Sequence, residues 1–183
     1  MRFCFNELKA AQAASLLISF HGGKLNYMVL IKLLYLADRR MLLEHGYTIT
    51  GDSFVSMPRG PVLSKILDLI TMGRYKEITP WFRYISEPKH YEVKLAEHAP
   101  SKRDELSRYE AGVLREVYKK YGSMNKWDLV ELMHTLPEWE DPKGSSLPID
   151  PQNILRLEGI APEKIEQFIS HAEEVCFLDS DPV

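Results

Sequence analysis

Three polar residues within one apolar stretch are the first candidates for chemistry in this sequence. Lys32, Tyr35 and Asp38 follow one another at intervals of three residues, so a helix would place them near one face. A charged group among apolar neighbours needs a partner, because burying it alone is costly or changes its ionisation. We expect Asp38 to meet Arg59 or a backbone amide near Gly60, as a polar clasp that fixes the turn there. A direct role in binding a ligand is the weaker alternative.

The sequence contains no recognisable catalytic or metal-binding motif. A nucleophile needs a base within hydrogen-bonding distance and a third group that orients the base, yet there is no G-x-S-x-G, Gly-rich phosphate loop or H-E-x-x-H pattern. The six histidines are scattered, and Cys4 and Cys176 lie near opposite ends, which is neither a zinc pattern nor a disulfide framework. We therefore expect no catalytic residue, no metal and no cofactor.

His134 is the most noteworthy of the histidines. It falls at the end of a predicted helix, where its charged form would interact favourably with the helix dipole. We prefer this structural role to a hydrolase that uses His134 together with a carboxylate.

Length and composition are those of one compact domain. The chain has 183 residues, of which 45% are hydrophobic and 27% charged, enough to bury a substantial core. No repeat or linker divides it, so we predict a single domain over 1–183, with its core at about 7–170 and an acidic tail at about 173–183. We expect a cytoplasmic protein, because no apolar run reaches the roughly 20 residues of a membrane helix and charges interrupt the apolar N-terminal stretch.

Helical periodicity dominates the chain. We predict helices at 7–21, 27–45, 62–72, 108–121, 126–135, 153–158 and from 162 onward. Asn26 and Gly46 are the predicted start and end signals of the second helix, and Ser107 with Glu110 forms a capping box before the fourth. Two runs of alternating polarity, Trp81 to Ile85 and Tyr91 to Leu95, predict a β-hairpin. The fold class is therefore mainly α (α+β), a single compact helical domain around the central apolar helix at 27–45, with a small β-hairpin.

The charge of the chain is unevenly distributed. Residues 1–103 hold 15 Lys and Arg against 9 Asp and Glu, whereas residues 104–183 hold 8 against 17. The acidic half would repel nucleic acid unless it faced away. The central helix also offers only Arg39 and Arg40 where a recognition helix needs a row of polar and basic side chains. A DNA-binding transcriptional regulator is therefore an alternative and not the leading hypothesis.

Three stretches together resemble the Panacea domain, the family that includes the SocA antitoxin and the phage-associated GepA proteins. They are KLLYLAD at 32–38, GDSFVSMPRGPVLS at 51–64 and LMHTLPEWEDPKGSSLPI at 132–149. No single stretch is very specific, but their order and spacing agree with that family. The resemblance covers about residues 7–170.

The resemblance implies an antitoxin that neutralises a toxin, usually encoded by a neighbouring gene, by forming a complex with it. SocA-like relatives can also deliver the toxin to a ClpXP-type protease. Such an interface is anchored by a few aromatic or arginine side chains, and the candidates here are Phe54, Met57, Arg59 and Trp139. The residues assigned to structure are Lys32, Tyr35, Asp38, Gly60, Pro61 and His134. A phage or mobile-element accessory protein that binds a host factor is the runner-up.

Overall fold

The computed structural model describes residues 1, 3–71 and 79–178, with side chains up to residue 174. Its helices are α1 Glu7–Phe20, α2 Tyr27–His45, α3 Ser64–Thr71, α4 Pro80–Tyr84, α5 Arg108–Tyr121, α6 Lys126–His134, α7 Pro151–Leu157 and α8 Pro162–Leu178. The strands are β1 Lys24–Asn26, β2 Phe54–Ser56, β3 Val62–Leu63, β4 Glu92–Lys94 and β5 Leu147–Pro148. The predicted fold class, mainly helical with a small amount of sheet, is confirmed. No helix in the described residues is long and apolar enough to cross a membrane.

Helix α2 is the centre of the fold. It packs against α1, α3, α5, α6 and α7, and every residue from Val29 to Asp38 is buried. The side chain of Asn26 accepts a hydrogen bond from the backbone N–H of Met28 at its start, and Gly46 ends it with φ of 76°, as the sequence predicts. A helix that is apolar on all sides is stable only when it is enclosed, which explains its position.

The small sheets are antiparallel, and one of them contains a hairpin. Strands β2 and β3 pair with Phe54 opposite Leu63, and β5 lies on the other side of β2. Strand β4 pairs with β1. Strands β2 and β3 thus form a small β-hairpin at a place where the sequence did not predict one.

The predicted hairpin is only partly present: Ile85 pairs with Leu95, and the N–H of Ser86 donates to the carbonyl of Lys94, but the first predicted strand is not a strand. The run from Trp81 to Ile85 is mostly α4, because Pro80 occupies the first position of a helical turn. The helix predicted to begin at Val62 begins at Ser64, since the two preceding residues pair with β2. Its predicted end at residue 72 lies outside the described residues.

Cys4 is disulfide-bonded in the structure, which corrects the expectation of no disulfide. Distance along the sequence was a poor guide because α8 lies against the N-terminal segment. His171 and Ala172 line the same pocket as Phe3 and Cys4.

Candidate protein-binding site

The turn between β2 and β3, residues 57–61, presents exposed side chains on a fixed backbone. Pro58 and Arg59 are exposed, whereas Gly60 is buried. Gly60 has φ of +88°, and a Cβ at this position would lie only 2.7 Å from the Cβ of Met133. The position therefore requires glycine for both its conformation and its close packing.

Three successive carbonyl groups of this turn accept hydrogen bonds from three side chains. The Nε1–H of Trp139 donates to the carbonyl of residue 57 over 3.0 Å. The Nε2 of His134 lies 3.2 Å from the carbonyl of residue 58, a contact that needs the proton on Nε2. The Nζ of Lys32 donates to the carbonyl of residue 59. We call residues 57–60, held in this way, the clamped turn.

The two ring systems that hold the turn also hold each other. His134 is the last residue of α6, and its ring stacks on Trp139 with 4.1 Å between centroids and 27° between planes. The backbone N–H of Trp139 donates to the carbonyl of Leu136 over 3.0 Å, which places the indole just beyond the helix end. His134 thus has a packing and hydrogen-bonding role in the clamp.

Lys32 is 1% exposed and approaches the clamped turn from α2. Burial, and then the positive charge of Arg59, lower the pKa of Lys32 to about 8. Its hydrogen-bonded partner among the described residues is a neutral carbonyl group, so its charge is solvated by the protein backbone and not by a carboxylate.

Asp38 does not meet Arg59 or the amide near Gly60, so this prediction is wrong. It accepts hydrogen bonds from the N–H of Ile49 at 2.9 Å and of Thr50 at 3.2 Å, and from the Thr50 hydroxyl. Asp38 lies six residues after Lys32, a separation of about 9 Å along a helix. Asp38 therefore faces the segment after α2, and Lys32 faces the clamped turn. Burial raises the pKa of Asp38 to about 7.

A buried ionic network connects α2 to the residue before Trp139. Glu138 is 4% exposed and accepts hydrogen bonds from the Tyr35 hydroxyl at 2.8 Å and from the Nε of Arg39 at 2.7 Å. Arg39 also binds Glu158. Burial, and then the negative charge of Glu138, hold the pKa of Tyr35 well above its usual value. The network fixes the backbone from which Trp139 reaches the clamped turn.

The candidate partner-binding residues lie at different depths. Arg59 is exposed, and Met57 and Trp139 are half-buried. Phe54 is 1% exposed and packs edge-to-face on Tyr35, with 5.2 Å between centroids. Contact with a partner through these four side chains stays a prediction, and for Phe54 it would require β2 to move.

Sequence reasoning missed an exposed tryptophan beside the turn. Trp127, in the first turn of α6, is 51% exposed. The guanidinium carbon of Arg59 lies 5.8 Å from its ring centroid, and the Nζ of Lys126 lies 5.2 Å from it, both within range of a cation–π interaction. No local motif marks Trp127, because its importance comes from its position next to Arg59.

The described residues include no group of three or more His, Cys, Asp or Glu side chains placed to hold a metal ion.

Comparison with protein families gives a match to the model described as "Antitoxin SocA-like, Panacea domain", over residues 30–140. This segment covers more than half of the chain and runs from α2 to just beyond Trp139, so it includes all three side chains of the clamp. No curated protein and no solved structure matches the chain significantly.

Proposed function

Since the chain belongs to the SocA-like Panacea antitoxin family, we propose that it is an antitoxin that neutralises a toxin by binding it directly, without catalysing a reaction. One observation supports this most strongly. The matched segment contains Lys32, His134 and Trp139, which together hold the clamped turn with Arg59 exposed on it. The toxin is a protein, encoded by a neighbouring gene, and the complex forms in the cytoplasm.

The physical properties of the surface suit this function. Arginine and tryptophan are the residue types that most often dominate binding energy at interfaces, and here Arg59 and Trp127 lie side by side. A turn already fixed in the free protein loses less conformational entropy on binding than a mobile one. A stable complex needs a buried area of roughly 1,200–2,000 Å², so this pair would form the centre of a larger interface.

Co-expression with the product of the neighbouring gene tests the proposal. That product should arrest growth alone, and this protein should restore growth and co-purify with it. The variants Arg59→Ala and Trp127→Ala should restore growth poorly, while Tyr109→Ala, which removes another exposed aromatic ring, should restore it fully. A neighbouring product that is harmless, or rescue without a complex, would contradict the proposal.

Delivery of the bound toxin to a ClpXP-type protease is a further part of the proposal. The toxin should then disappear faster when this protein is present, and the difference should vanish in cells that lack the protease. If the toxin remains stable while growth is restored, neutralisation occurs by binding alone.

A further inference from the structure

A pocket of about 400 Å³ opens beside the clamped turn. One wall is the first half of α2, and the other is formed by the turn and by α3. Its lining among the described residues is mostly apolar and includes Met28, Ile31 and Lys32 of α2, Arg59 of the turn, and Leu67 and Thr71 of α3. This volume is within the roughly 300–1,000 Å³ of typical ligand pockets, large enough for a few side chains of another protein.

The charge of this pocket is entirely positive in the part that the structure describes. Lys32 and Arg59 line it, and no Asp or Glu does. Lys32 is 1% exposed and donates to one backbone carbonyl, whereas an ammonium group carries three N–H donors. No carboxylate of the described residues forms an ion pair with it. A buried cation without an anionic partner is costly, so a carboxylate that entered the pocket would supply the missing counter-charge.

We propose that the pocket binds a segment of the toxin in which an acidic residue is flanked by apolar side chains, with the carboxylate on Lys32 and Arg59 and the apolar groups against α2 and α3. This inference rests on the proposed function, because it specifies which part of the partner the site recognises. The occupant is a polypeptide segment because the lining is mostly apolar and carries only two cations.

A nucleic acid does not suit the same pocket. A phosphate backbone is bound by rows of cations that neutralise successive charges. Here the described lining carries two cations, Lys32 and Arg59, among mostly apolar residues, which is no such row.

Selection from a phage-displayed library of random 12-residue peptides, with the immobilised full chain as target, tests the inference. The enriched peptides should carry Asp or Glu next to large apolar residues. Their affinities are then measured by fluorescence anisotropy. Enrichment of basic peptides, or no enrichment at all, would overturn the inference.

Two variants and a matched control test where the selected peptides bind. Leu67→Trp places a large ring in the pocket from α3 and should weaken binding at least tenfold, as should Thr71→Trp at the next turn. Leu69→Trp is the matched control, since Leu69 is a half-buried residue of the same helix that does not line the pocket. Circular dichroism confirms that each variant is folded. Equal affinities of the Leu67 and Leu69 variants would place the peptides elsewhere.

The role of Lys32 is tested by removing its charge, by mutation or by a rise in pH. Lys32→Met should weaken peptide binding about tenfold or more, because a charge-assisted hydrogen bond is lost. The affinity of the wild-type chain should fall as the pH rises through about 8, where Lys32 loses its proton, and this fall should be absent in the variant. Trp139→Phe removes another hydrogen bond to the clamped turn but keeps the charge, so it should keep the pH dependence. A pH dependence unchanged in Lys32→Met would overturn the inference.

The outcomes separate this inference from the proposed function. If the wild-type chain restores growth but Leu67→Trp does so equally well, the pocket is not the recognition site and the antitoxin function stands. If acidic apolar peptides bind in the pocket but no toxin is neutralised, the pocket stands and the antitoxin function fails. Decanoate, a carboxylate with an apolar chain, is tested as a small-molecule alternative to the peptides. If decanoate binds and no peptide does, the pocket binds a small acid and the inference is wrong.

Discussion

Removal of the carboxylate of Glu138 should destabilise the protein strongly. Glu138 is 4% exposed and accepts hydrogen bonds from Tyr35 and from two nitrogens of Arg39. In Glu138→Ala the Tyr35 hydroxyl loses its acceptor, and the guanidinium, whose side chain is 11% exposed, keeps only Glu158. Breaking a buried ion pair at one partner costs about 3–5 kcal/mol, so we expect a loss of that size in the free energy of unfolding.

Glu158→Ala is the matched control. It removes a carboxylate from the same guanidinium, but the Glu158 side chain is 35% exposed, and water compensates for its loss. We expect this variant to lose about 0–1 kcal/mol. The comparison therefore separates the effect of burial from the effect of charge.

Urea unfolding, followed by far-UV circular dichroism, measures both variants. For a chain of this length about 1 kcal/mol corresponds to a shift of roughly 2–4 °C in Tm, so Glu138→Ala should also melt more than about 6 °C lower than the wild type. A double-mutant cycle with Tyr35→Phe isolates the 2.8 Å hydrogen bond and should give a coupling of about 1 kcal/mol or more. Equal and small losses in the two glutamate variants would refute the reasoning, because the network would then contribute little to stability.

Three further variants, with Gly144→Ala as a control, address the turn and the buried acid. Gly60→Ala should lower the free energy of unfolding by about 2 kcal/mol or more, as measured by chemical denaturation. Gly144 has the same φ of +88° but no atom within 4 Å of an added Cβ, so Gly144→Ala should cost only the backbone strain of about 1 kcal/mol. Burial raises the pKa of Asp38 from 3.8 to about 7, so the protonated side chain contributes stability that is complete below pH 4 and is lost as the pH rises to 7. The Tm of the wild type should therefore fall over this pH range, and Asp38→Asn should remove that fall. Trp139→Phe should lower stability by about 1 kcal/mol, and no loss would mean that its bond to the turn is negligible.

Helix ends were predictable because their signals are local. Asn26 and Gly46 delimit α2, and the capping box of Ser107 with Glu110 starts α5, as the sequence indicates. Each of these signals involves residues that are neighbours along the chain, so no knowledge of the fold is needed to interpret them.

The partners of the polar side chains were much harder to predict. Asp38 was expected to meet Arg59 or an amide near Gly60, but it contacts Thr50, and the residue of α2 that reaches this turn is Lys32. The ion pair between Arg39 and Glu138 joins positions 99 residues apart, and no local pattern indicates which acid folds back onto α2. The alternation at 81–85 was misleading because a run of five residues fits a strand and a helical turn equally well.

The clamp holds the turn by its backbone oxygen atoms, which every amino acid carries. These three hydrogen bonds therefore do not depend on the side chains of Pro58 and Arg59, which can be exchanged while Lys32, His134 and Trp139 keep the loop in place. Residues 58 and 59 thus form a replaceable tip on a fixed support, so the side chains presented at this surface can change without a change in the scaffold beneath them.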